Sequence, residues 1–337
     1  MNLFRCTTAV ALSLPLWAGP VAADTITWRM QSLMPAGTSA NQAFERFAER
    51  VEVISDGRLT IDVLPTDAVV QSDETLDAIG QGILDGHFGS VGYFAGNDPA
   101  FAVLGHFVAG YDTPEQFRMF YEIGGGVELA RELYAEYNVH FVGAAFWQGE
   151  AIPSRVRLAG VDDFDGIKIR APGGVIGRVF SEMGASIVTL PGSEVFQALS
   201  SGVVDATDYS TLGQNAQVGL HDHAKFTIFP SITSMPATDI SVNADRWAAL
   251  PDDLKAIVEA SAAIFASDLA AVTFLDDQQA VPALQAQGVE FLNWSPEERR
   301  KLRTIAAEEM RAFAEQGELA QRAYDAHVAF MRRINLL

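Results

Sequence analysis

A short pattern that occurs twice in this chain constrains its fold more than any other feature of the sequence. The segments ETLDAIGQGILDG (74–86) and EVFQALSSGVVDA (194–206) each contain a glutamate, a glycine eight positions later and an aspartate three positions after that. These residues are Glu74, Gly82 and Asp85 in the first copy and Glu194, Gly202 and Asp205 in the second. The spacing before each glycine is helical, the glycine suits a left-handed helix cap, and the apolar pair that follows predicts a short buried strand.

The segments upstream of the two copies extend the similarity. Residues 25–65 predict strand, loop, amphipathic helix, turn and strand, and residues 166–191 (GIKIRAPGGVIGRVFSEMGASIVTLP) predict the same order more tightly. Strands that alternate with helices favour parallel sheets. We therefore predict an α/β protein with two similar lobes, whose loops at the carboxyl ends of the strands face a shared crevice where a ligand binds.

The two lobes are not predicted to be consecutive in the sequence, because a further strand and helix (TDISVNADRWAALPDDLKAIVEAS) follow the second copy. We assign residues 24–146 plus about 236–270 to lobe I, and residues 147–235 plus part of 271–300 to lobe II. Strands that cross between the lobes then form the hinge. Residues 301–337 are predicted to form a C-terminal helical segment.

The first 23 residues predict a secretory signal peptide. Arg5 precedes an apolar run over residues 9–17, and small residues lead to a cleavage site before Asp24. A retained membrane anchor is the alternative. The only cysteine, Cys6, lies in this segment, so the mature protein can form neither a disulfide nor a thiolate metal site. No other stretch is predicted to be long and apolar enough to span a bilayer, and we expect a periplasmic protein without membrane insertion.

The chain is strongly acidic. It has 23 lysines and arginines against 43 aspartates and glutamates, and loss of Arg5 with the signal peptide changes the formal charge from −20 to −21. Such a surface repels nucleic acid and anionic lipid, so neither is an expected partner. A small anion must therefore be held by a few local groups.

Motifs of enzymes are weak or missing in the sequence, and we expect no catalytic activity. There is no G-x-S-x-G, H-E-x-x-H or phosphate-loop pattern. The stretch GGVIG matches a dinucleotide fingerprint poorly and is better explained as a tight strand-to-helix turn. His221 and His223 could bind a metal, although such a pair more often belongs to a polar loop.

Arg170 stands where a strand is predicted to end, before two glycines and a helix N-terminus. Its guanidinium stays charged and offers a planar fork of donors to a carboxylate. The free N–H groups of the following helix favour an anion as well. A surface ion pair is the alternative, but the position in the expected crevice favours a carboxylate-binding arginine.

Two loops that follow apolar runs are candidates for the rest of the crevice, FWQGE after HFVGAA and DATDYS after GVV. Trp147 and Tyr209 either line a pocket or pack in the core or hinge. Gln148 and Asp208 supply oxygen atoms that suit a hard cation, unless they lie in solvated loops.

Several spaced motifs resemble the periplasmic solute-binding subunits of tripartite ATP-independent periplasmic (TRAP) transporters. They are KIRAPGG, TLPGSEVFQALSSGVVDATDYS, YFAGNDPAF (93–101), GGGVELARELYAEYNV (124–139) and LPDDLKAIVEAS. They occur in the order found in the branch that includes 2-oxo acid binders and the mannitol/chloroaromatic group, and they cover essentially the whole mature chain. The resemblance implies a two-lobed, Venus-flytrap fold with crossing hinge strands and long C-terminal helices, which closes around an organic acid.

The resemblance also implies roles for individual residues. Arg170 falls on the arginine that pairs with the substrate carboxylate, and Asp208 with Tyr209 falls on an acidic–aromatic pair that is commonly Glu-Trp. Gln148 matches an expected glutamine if a one-residue shift is allowed. The predicted substrate-binding residues are Arg170, Gln148, Trp147, Tyr93, Asp208 and Tyr209, and the predicted ligands of one sodium or calcium ion are Gln148, Asp208 and Tyr209. No organic cofactor is expected.

The sequence departs from the family where a second acidic ligand is often found. The stretch there is FPSITSMPA, with Thr233 or Ser234 near the expected place. The predicted function is capture of a small 2-oxo or 2-hydroxy monocarboxylate and its delivery to a membrane permease. The alternatives are the binding protein of an ATP-driven importer, a sensor module, and a secreted metal-dependent hydrolase, against which the missing nucleophile–base pair counts.

The C-terminal segment carries an apolar stripe at helical spacing. The stripe consists of Leu302, Ile305, Met310, Phe313, Leu319, Tyr324, Val328, Phe330 and Met331. It either packs on the lobes of the same chain or joins two copies of the chain. We predict a homodimer held by residues after about Gly317, because members of the branch that the chain resembles can extend or exchange a C-terminal helix.

Overall fold

The computed structural model of the protein describes residues 25–233 and 236–337, so the predicted signal peptide lies outside the described residues. The strands in these residues are β1 (Ile26–Ser32), β2 (Leu59–Leu64), β3 (Gly86–Ser90), β4 (Val139–Phe146), β5 (Ile152–Ser154), β6 (Lys168–Arg170), β7 (Ser186–Val188), β8 (Ala206–Thr207), β9 (Phe226–Ile228), β10 (Ala237–Asn243) and β11 (Glu290–Leu292). The helices are α1 (Ser39–Ile54), α2 (Thr75–Gly80), α3 (Pro99–Gly105), α4 (Pro114–Ile123), α5 (Gly126–Ala135), α6 (Val175–Glu182), α7 (Val195–Ser201), α8 (Leu212–Gln217), α9 (Ala244–Ala249), α10 (Asp252–Ala286), α11 (Pro296–Ala314) and α12 (Glu318–Arg333).

The first sheet has the strand order β2-β1-β3-β10-β4. Strand β1 is parallel to β2 and β3, whereas β10 runs antiparallel to both of its neighbours. Helices α1 and α10 pack together beside this sheet. The core between them is rich in aromatic side chains, and the rings of Phe88 and Phe265 meet edge to face with their centroids 5.0 Å apart.

The second sheet has the order β11-β9-β5-β8-β6-β7. Strand β6 is parallel to β7 and β8, and β5 is antiparallel to β8 and β9. The predicted α/β fold with two lobes is confirmed, but both sheets are mixed and not parallel as expected. Strands β5 and β10 cause the difference, because each is entered directly from the other sheet without a crossover helix. We propose that each sheet with its helices forms one lobe, divided as the sequence predicts.

The repeated sequence pattern adopts the same structure in both copies. The glycines that follow α2 and α7 have left-handed φ angles of 73° and 77°. The carboxylate of Asp85 accepts a hydrogen bond from the backbone N–H of Arg29 in β1 (2.8 Å), and that of Asp205 accepts one from Lys168 in β6 (3.0 Å). The aspartate therefore ties the segment after each helix to the neighbouring strand, which explains why it recurs.

Three segments connect the two sheets in the described part of the chain. Residues 147–151 join β4 to β5, residues 229–236 join β9 to β10, and α10 leads from the first sheet to β11. In the described residues, one helix, α10, is long enough and apolar enough to cross a membrane, judged by length and composition alone. The expectation that no such stretch exists was therefore wrong. Helix α10 contacts α1 and β4 of the first lobe and α8 of the second lobe. It is long because it packs on both lobes.

The C-terminal helices pack on the chain that carries them. Helix α12 contacts α3 and α5, and α11 contacts α6 and α3. His327 of α12 is buried between the rings of Phe107 and Phe120, with centroid distances of 4.2 and 3.6 Å. Its Nδ1 atom lies 2.7 Å from the hydroxyl oxygen of Tyr111. Helix α12 therefore packs on the lobe that contains α3, and α11 packs on both lobes.

The apolar stripe of these helices is covered within one chain. Its buried residues are Leu302, Met310, Phe313, Phe330 and Met331, and its half-buried residues are Ile305, Leu319, Tyr324 and Val328. No large free apolar face remains on the stripe. The stripe therefore gives no support to the predicted dimer through residues after Gly317, which stays a prediction.

A group of four polar side chains, which we call the Ser39 latch, joins the lobes. Ser39 begins α1, Gln214 and Gln217 lie on α8, and Asp276 lies on α10. The Ser39 hydroxyl donates to the Asp276 carboxylate, and Gln214 Nε2 donates to Ser39 Oγ (2.6 Å) and Asp276 Oδ2 (3.0 Å). The backbone N–H of Ser39 donates to Gln217 Oε1 (3.1 Å). The latch thus holds the two lobes in a closed arrangement.

We expect Ser39→Ala to weaken ligand binding about three- to tenfold without changing the site, because each lost hydrogen bond destabilises the closed state by about 0.5–1.5 kcal/mol. Titration calorimetry with the organic acid that the sequence predicts as ligand measures the change. Thr60→Ala is the matched control, since its hydroxyl bonds Thr27 (2.9 Å) within one sheet. Equal affinity of Ser39→Ala and wild type would show that the latch does not contribute to closure.

Candidate functional site

A partly open cavity lies between the two sheets, and we call it the inner cavity. Its empty volume is about 510 Å³. It is lined from the first lobe by residues that follow β1, β2 and β3, and from the second lobe by residues at or after the ends of β6, β7 and β8. The lobes therefore meet at the carboxyl ends of their strands, as the sequence predicts.

Arg170 ends strand β6 and is 2% exposed. Its Nε and one Nη donate to the carbonyl oxygen of Leu190 (3.1 and 2.9 Å), and the other Nη donates to the carbonyl oxygen of Asp208 (2.5 Å). A guanidinium has five N–H groups, so one on each Nη is not used by these carbonyls, and the nearby Tyr93 hydroxyl can interact with them. The backbone thus fixes the plane of the guanidinium and leaves a pair of donors for a ligand.

The two glycines after Arg170 have different roles. A Cβ atom at Gly173 would meet no atom within 4 Å, so that position does not require glycine. Gly174 has a left-handed φ of 79°, and a Cβ there would lie 3.2 Å from Ala95 and 3.4 Å from Ala102 in the first lobe. Gly174 therefore permits the close approach of the lobes in addition to the turn.

Two carboxylates share the inner cavity with Arg170. Glu150 is 5% exposed and Asp208 is 1% exposed. Burial raises the pKa of both groups, and the neighbouring Asp208 charge raises the pKa of Glu150 further, whereas Arg170 lowers both. Neither carboxylate oxygen of Asp208 has a hydrogen-bond partner among the described residues. A buried acceptor of this kind needs a proton, a cation or a ligand donor to offset its desolvation.

Aromatic side chains complete the walls of the inner cavity. Burial raises the pKa of Tyr93, while the charge of Arg170 opposes that rise. Trp147 is buried and meets Phe88 edge to face at a centroid distance of 6.4 Å. Burial also raises the pKa of Tyr209, whose ring lies against Gly192. Both tyrosines are therefore neutral hydrogen-bonding groups at physiological pH.

The structure brings five of the six predicted substrate-binding residues to this cavity, and Gln148 is the exception. Where the chain crosses between the lobes, Trp147 and Glu150 line the inner cavity while Gln148 and Gly149 line the opposite side, so the segment does not alternate as a regular strand would. There they line a second cavity of about 1030 Å³ empty volume, the rear cavity. Gln148 Nε2 donates to the carbonyl oxygen of Ala270 (3.4 Å). The glutamine is therefore separated from Asp208 and Tyr209, with which it was predicted to bind a cation.

Other candidate ligands from the sequence also lie away from the inner cavity. Thr233 lines the rear cavity, and Ser234 is outside the described residues. His221 is buried and burial lowers its pKa to about 4, whereas His223 is exposed. Residues 25–233 and 236–337 contain no group of three or more histidine, cysteine or acidic side chains arranged to hold a metal.

The sequence did not single out several residues that line the inner cavity. They are Leu33, Met34, Thr66, Ser72, Ser90, His106, Glu150, Pro172, Gly192, Ser193 and Pro236. Glu150 carried the clearest signal, since it lies in the candidate loop FWQGE and is an acidic residue at the end of an apolar run. Thr66, Ser72 and Ser90 follow strand ends, where ligand-binding loops are expected.

A groove at the surface leads towards the inner cavity. Its empty volume is about 710 Å³, and it shares Tyr93, Arg170 and Gly192 with the inner cavity. The side chain of Arg170 therefore borders both spaces. This arrangement gives a ligand a path from solvent to the guanidinium.

Comparison with known proteins agrees with this architecture. The sequence profile of the bacterial extracellular solute-binding proteins, family 7 (DctP), matches residues 30–316. A TRAP periplasmic solute-binding protein from Rhodobacter sphaeroides, solved in an apo open form, is 38% identical, with a TM-score of 0.73 over 92% of this chain and 99% of that one. A TRAP solute-binding protein from Pseudoalteromonas atlantica with bound sodium and pyruvate is 22% identical, with a TM-score of 0.81 over 93% and 95% of the two chains. A monocarboxylate 2-oxoacid-binding periplasmic protein from Nostoc sp. is 26% identical over 92% of this chain and 85% of its own length.

Proposed function

The chain belongs to family 7 of the bacterial extracellular solute-binding proteins as a TRAP-type periplasmic solute-binding protein, and we propose that its inner cavity captures a small 2-oxo or 2-hydroxy monocarboxylate. The family and fold are those of substrate-binding proteins that work with a membrane permease. For this chain we propose export by residues 1–23, capture in the periplasm and delivery to a TRAP permease.

The observation that carries the proposal is the buried Arg170 guanidinium, whose bonds to Leu190 and Asp208 use three of its five N–H groups and leave two beside Tyr93 in the inner cavity. A planar pair of donors matches the two oxygens of a carboxylate. Arg170 is the one arginine or lysine that lines the inner cavity in the described part of the chain. A second carboxylate on the ligand would have no cationic partner and would face Glu150 and Asp208, so the cavity favours a monocarboxylate over a dicarboxylate.

The charges in the cavity also support a bound sodium or calcium ion. Glu150 and Asp208 carry two negative charges when ionised, and Arg170 offsets one of them. A ligand carboxylate would add another negative charge in a buried space, which is costly unless a cation or proton compensates. The unpartnered oxygens of Asp208 fit a hard cation. We propose that Asp208 and Glu150, beside Tyr209, hold this ion, and that Gln148 does not. The ion would supply the positive charge that a second basic residue would otherwise provide.

A thermal-shift screen tests the proposed function. Short 2-oxo and 2-hydroxy monocarboxylates, their dicarboxylate analogues and unsubstituted alkanoates are compared with sodium, with calcium and after chelation. A true ligand at a hundred times its dissociation constant should stabilise the folded state by about 2.7 kcal/mol. Stabilisation by dicarboxylates but not by monocarboxylates would overturn the assignment. Recovery of the acid unchanged after long incubation would separate a receptor from a secreted hydrolase.

We expect Asp208→Asn to weaken cation-dependent binding of the acid at least tenfold, because a carboxylate oxygen ligand is replaced by a neutral amide, and tenfold corresponds to about 1.4 kcal/mol. Titration calorimetry of the wild type and of Asp208→Asn, each in metal-replete and in chelated buffer, measures the change in affinity. Asp222→Asn, an exposed aspartate of the same lobe, is the matched control. Equal affinity of the wild type in both buffers would remove the cation from the proposal.

The same charge count favours one competing ligand class, the α-amino acids. Their carboxylate would bind Arg170, and their ammonium group would take the place of the cation beside Glu150 and Asp208. The calorimetry separates the two classes, because chelation would weaken binding of a 2-oxo acid but not of an amino acid.

A further inference from the structure

His106 follows helix α3 and lines the inner cavity with 5% of its surface exposed. Two glycines fix its ring. A Cβ atom at Gly92 would lie 2.4 Å from Nδ1 and 2.9 Å from Cε1, and a Cβ at Gly105 would lie 2.3 Å from the backbone nitrogen of Gly92. The Nδ1–Cε1 edge of the imidazole therefore packs on Gly92, and Nε2 is the ring nitrogen that lies farther from this contact.

In the described residues, the histidine rings that form hydrogen bonds are those of His87 and His327. The ring of His106 has no such partner there. A side chain that is so deeply buried normally has its polar atoms paired. Burial lowers the pKa of His106 to about 4, so the ring is neutral at physiological pH. A neutral imidazole offers one donor and one acceptor, and the tautomer decides which nitrogen is which.

The two lobes contribute different chemistry to the inner cavity. The charged residues Arg170 and Asp208 come from the second lobe, and Glu150 comes from the crossing segment. The first lobe contributes hydroxyl groups, the Tyr93 phenol and the His106 imidazole, all of them uncharged. A ligand whose carboxylate lies on Arg170 can therefore reach neutral hydrogen-bonding groups of the first lobe as well as Glu150 and Asp208.

We propose that His106 is a specificity-determining residue that hydrogen-bonds the uncharged second oxygen of the bound acid and so selects 2-oxo and 2-hydroxy acids over plain alkanoates. This inference rests on the proposed function of the inner cavity. One tautomer of the ring donates to a keto oxygen, and the other accepts from a hydroxyl group. An alkanoate leaves the buried ring nitrogen without a partner, which weakens its binding by about ten- to a hundredfold.

The test is titration calorimetry of pyruvate, lactate and propionate, three-carbon acids that differ in the group on the second carbon. The wild type is expected to bind pyruvate or lactate at least tenfold more tightly than propionate. In His106→Leu that preference should fall to about threefold or less, because pyruvate and lactate lose a hydrogen bond while propionate no longer leaves a ring nitrogen without a partner and binds as tightly as before or more tightly. His106→Gln keeps a donor and an acceptor and should retain most of the preference.

His221→Gln and His221→Leu are the matched controls, since His221 is also buried and has a pKa lowered to about 4, but lies outside the inner cavity. Their preference among the three acids should equal that of the wild type. A wild-type preference in folded His106→Leu, checked by its melting temperature, overturns this inference alone. Failure of the wild type to bind any of the three acids overturns the proposed function and the inference with it.

Discussion

Replacing Arg170 by lysine is expected to abolish tight binding of the acid while the two-lobed fold persists. Three N–H groups of the guanidinium hold the carbonyl oxygens of Leu190 and Asp208, and the remaining two are available to the ligand. A lysine ammonium is a single point charge and cannot serve both carbonyls and a planar carboxylate. Loss of one partner of a buried charge pair costs about 2–5 kcal/mol, which corresponds to roughly thirtyfold to several thousandfold in Kd.

Titration calorimetry with the acid identified in the thermal-shift screen measures this effect, and a circular dichroism melt shows whether the variant is folded. Arg178→Lys is the matched control, because Arg178 bonds the carboxylate of Glu309 (2.6 Å) and lies outside the inner cavity. Its affinity should stay within about twofold, as surface ion pairs contribute about 0–1 kcal/mol. Wild-type affinity in a folded Arg170→Lys protein would mean that the carboxylate is held elsewhere.

The repeated pattern explains why so much of the architecture could be predicted from the sequence. Helix spacing, a capping glycine and the following aspartate are local signals, and each copy builds one strand end without help from distant residues. Because ligand sites lie at the carboxyl ends of such strands, Arg170, Asp208 and Tyr209 could be placed near one another before the structure was known. That these residues bind the ligand stays a prediction.

The cation ligands could not be chosen from the sequence because the choice depends on the backbone dihedral angles of residues 147–151, which join β4 to β5. Gln148 and Glu150 are two residues apart and would point the same way in a regular strand, but the segment between β4 and β5 is irregular. The backbone places Glu150 in the inner cavity and Gln148 in the rear cavity. A Cβ atom at Gly149 would lie 2.5 Å from Ser231 Cβ, so the path of one crossing segment is set by contact with the other.

Residues that act between distant segments were also beyond sequence reasoning. Ser39 and Asp276 of the latch are 237 residues apart in the sequence, and nothing in the local pattern of either residue indicates the other. The apolar stripe of the C-terminal helices was visible, but an apolar face does not reveal what covers it. The structure shows that α12 is covered by its own chain, since the ring of His327 is enclosed by Phe107 and Phe120.

A buried polar network under the inner cavity was not foreseen at all. His87 on β3 has its Nε2 atom 2.9 Å from Asp239 Oδ2 on β10, and both side chains are fully buried. Ser241 Oγ donates to the same carboxylate oxygen (2.5 Å). On the other side of the ring, Nδ1 lies 2.8 Å from the hydroxyl of Thr75, which donates to the carbonyl oxygen of Ser72 (2.9 Å). Because Ser72 lines the inner cavity, the network connects the core of the first sheet to the ligand site.

His87→Leu is expected to lower the free energy of unfolding by about 3–5 kcal/mol, because it leaves the Asp239 carboxylate buried without its histidine partner. Urea denaturation followed by circular dichroism measures the change. The double variant His87→Leu/Asp239→Leu should recover much of the loss, since it removes the uncompensated charge as well.

His140→Leu is the matched control for this prediction. His140 lies in the same sheet, on β4, but it is only half-buried and stacks on Trp247 at a centroid distance of 4.3 Å. Its replacement should cost less than about 1 kcal/mol, as expected for a substitution outside a buried network. Equal destabilisation by His87→Leu and His140→Leu would show that the pair with Asp239 adds nothing beyond ordinary packing. A double variant that is no more stable than His87→Leu would show that the loss comes from the imidazole's own packing and hydrogen bonds, and not from the carboxylate left behind.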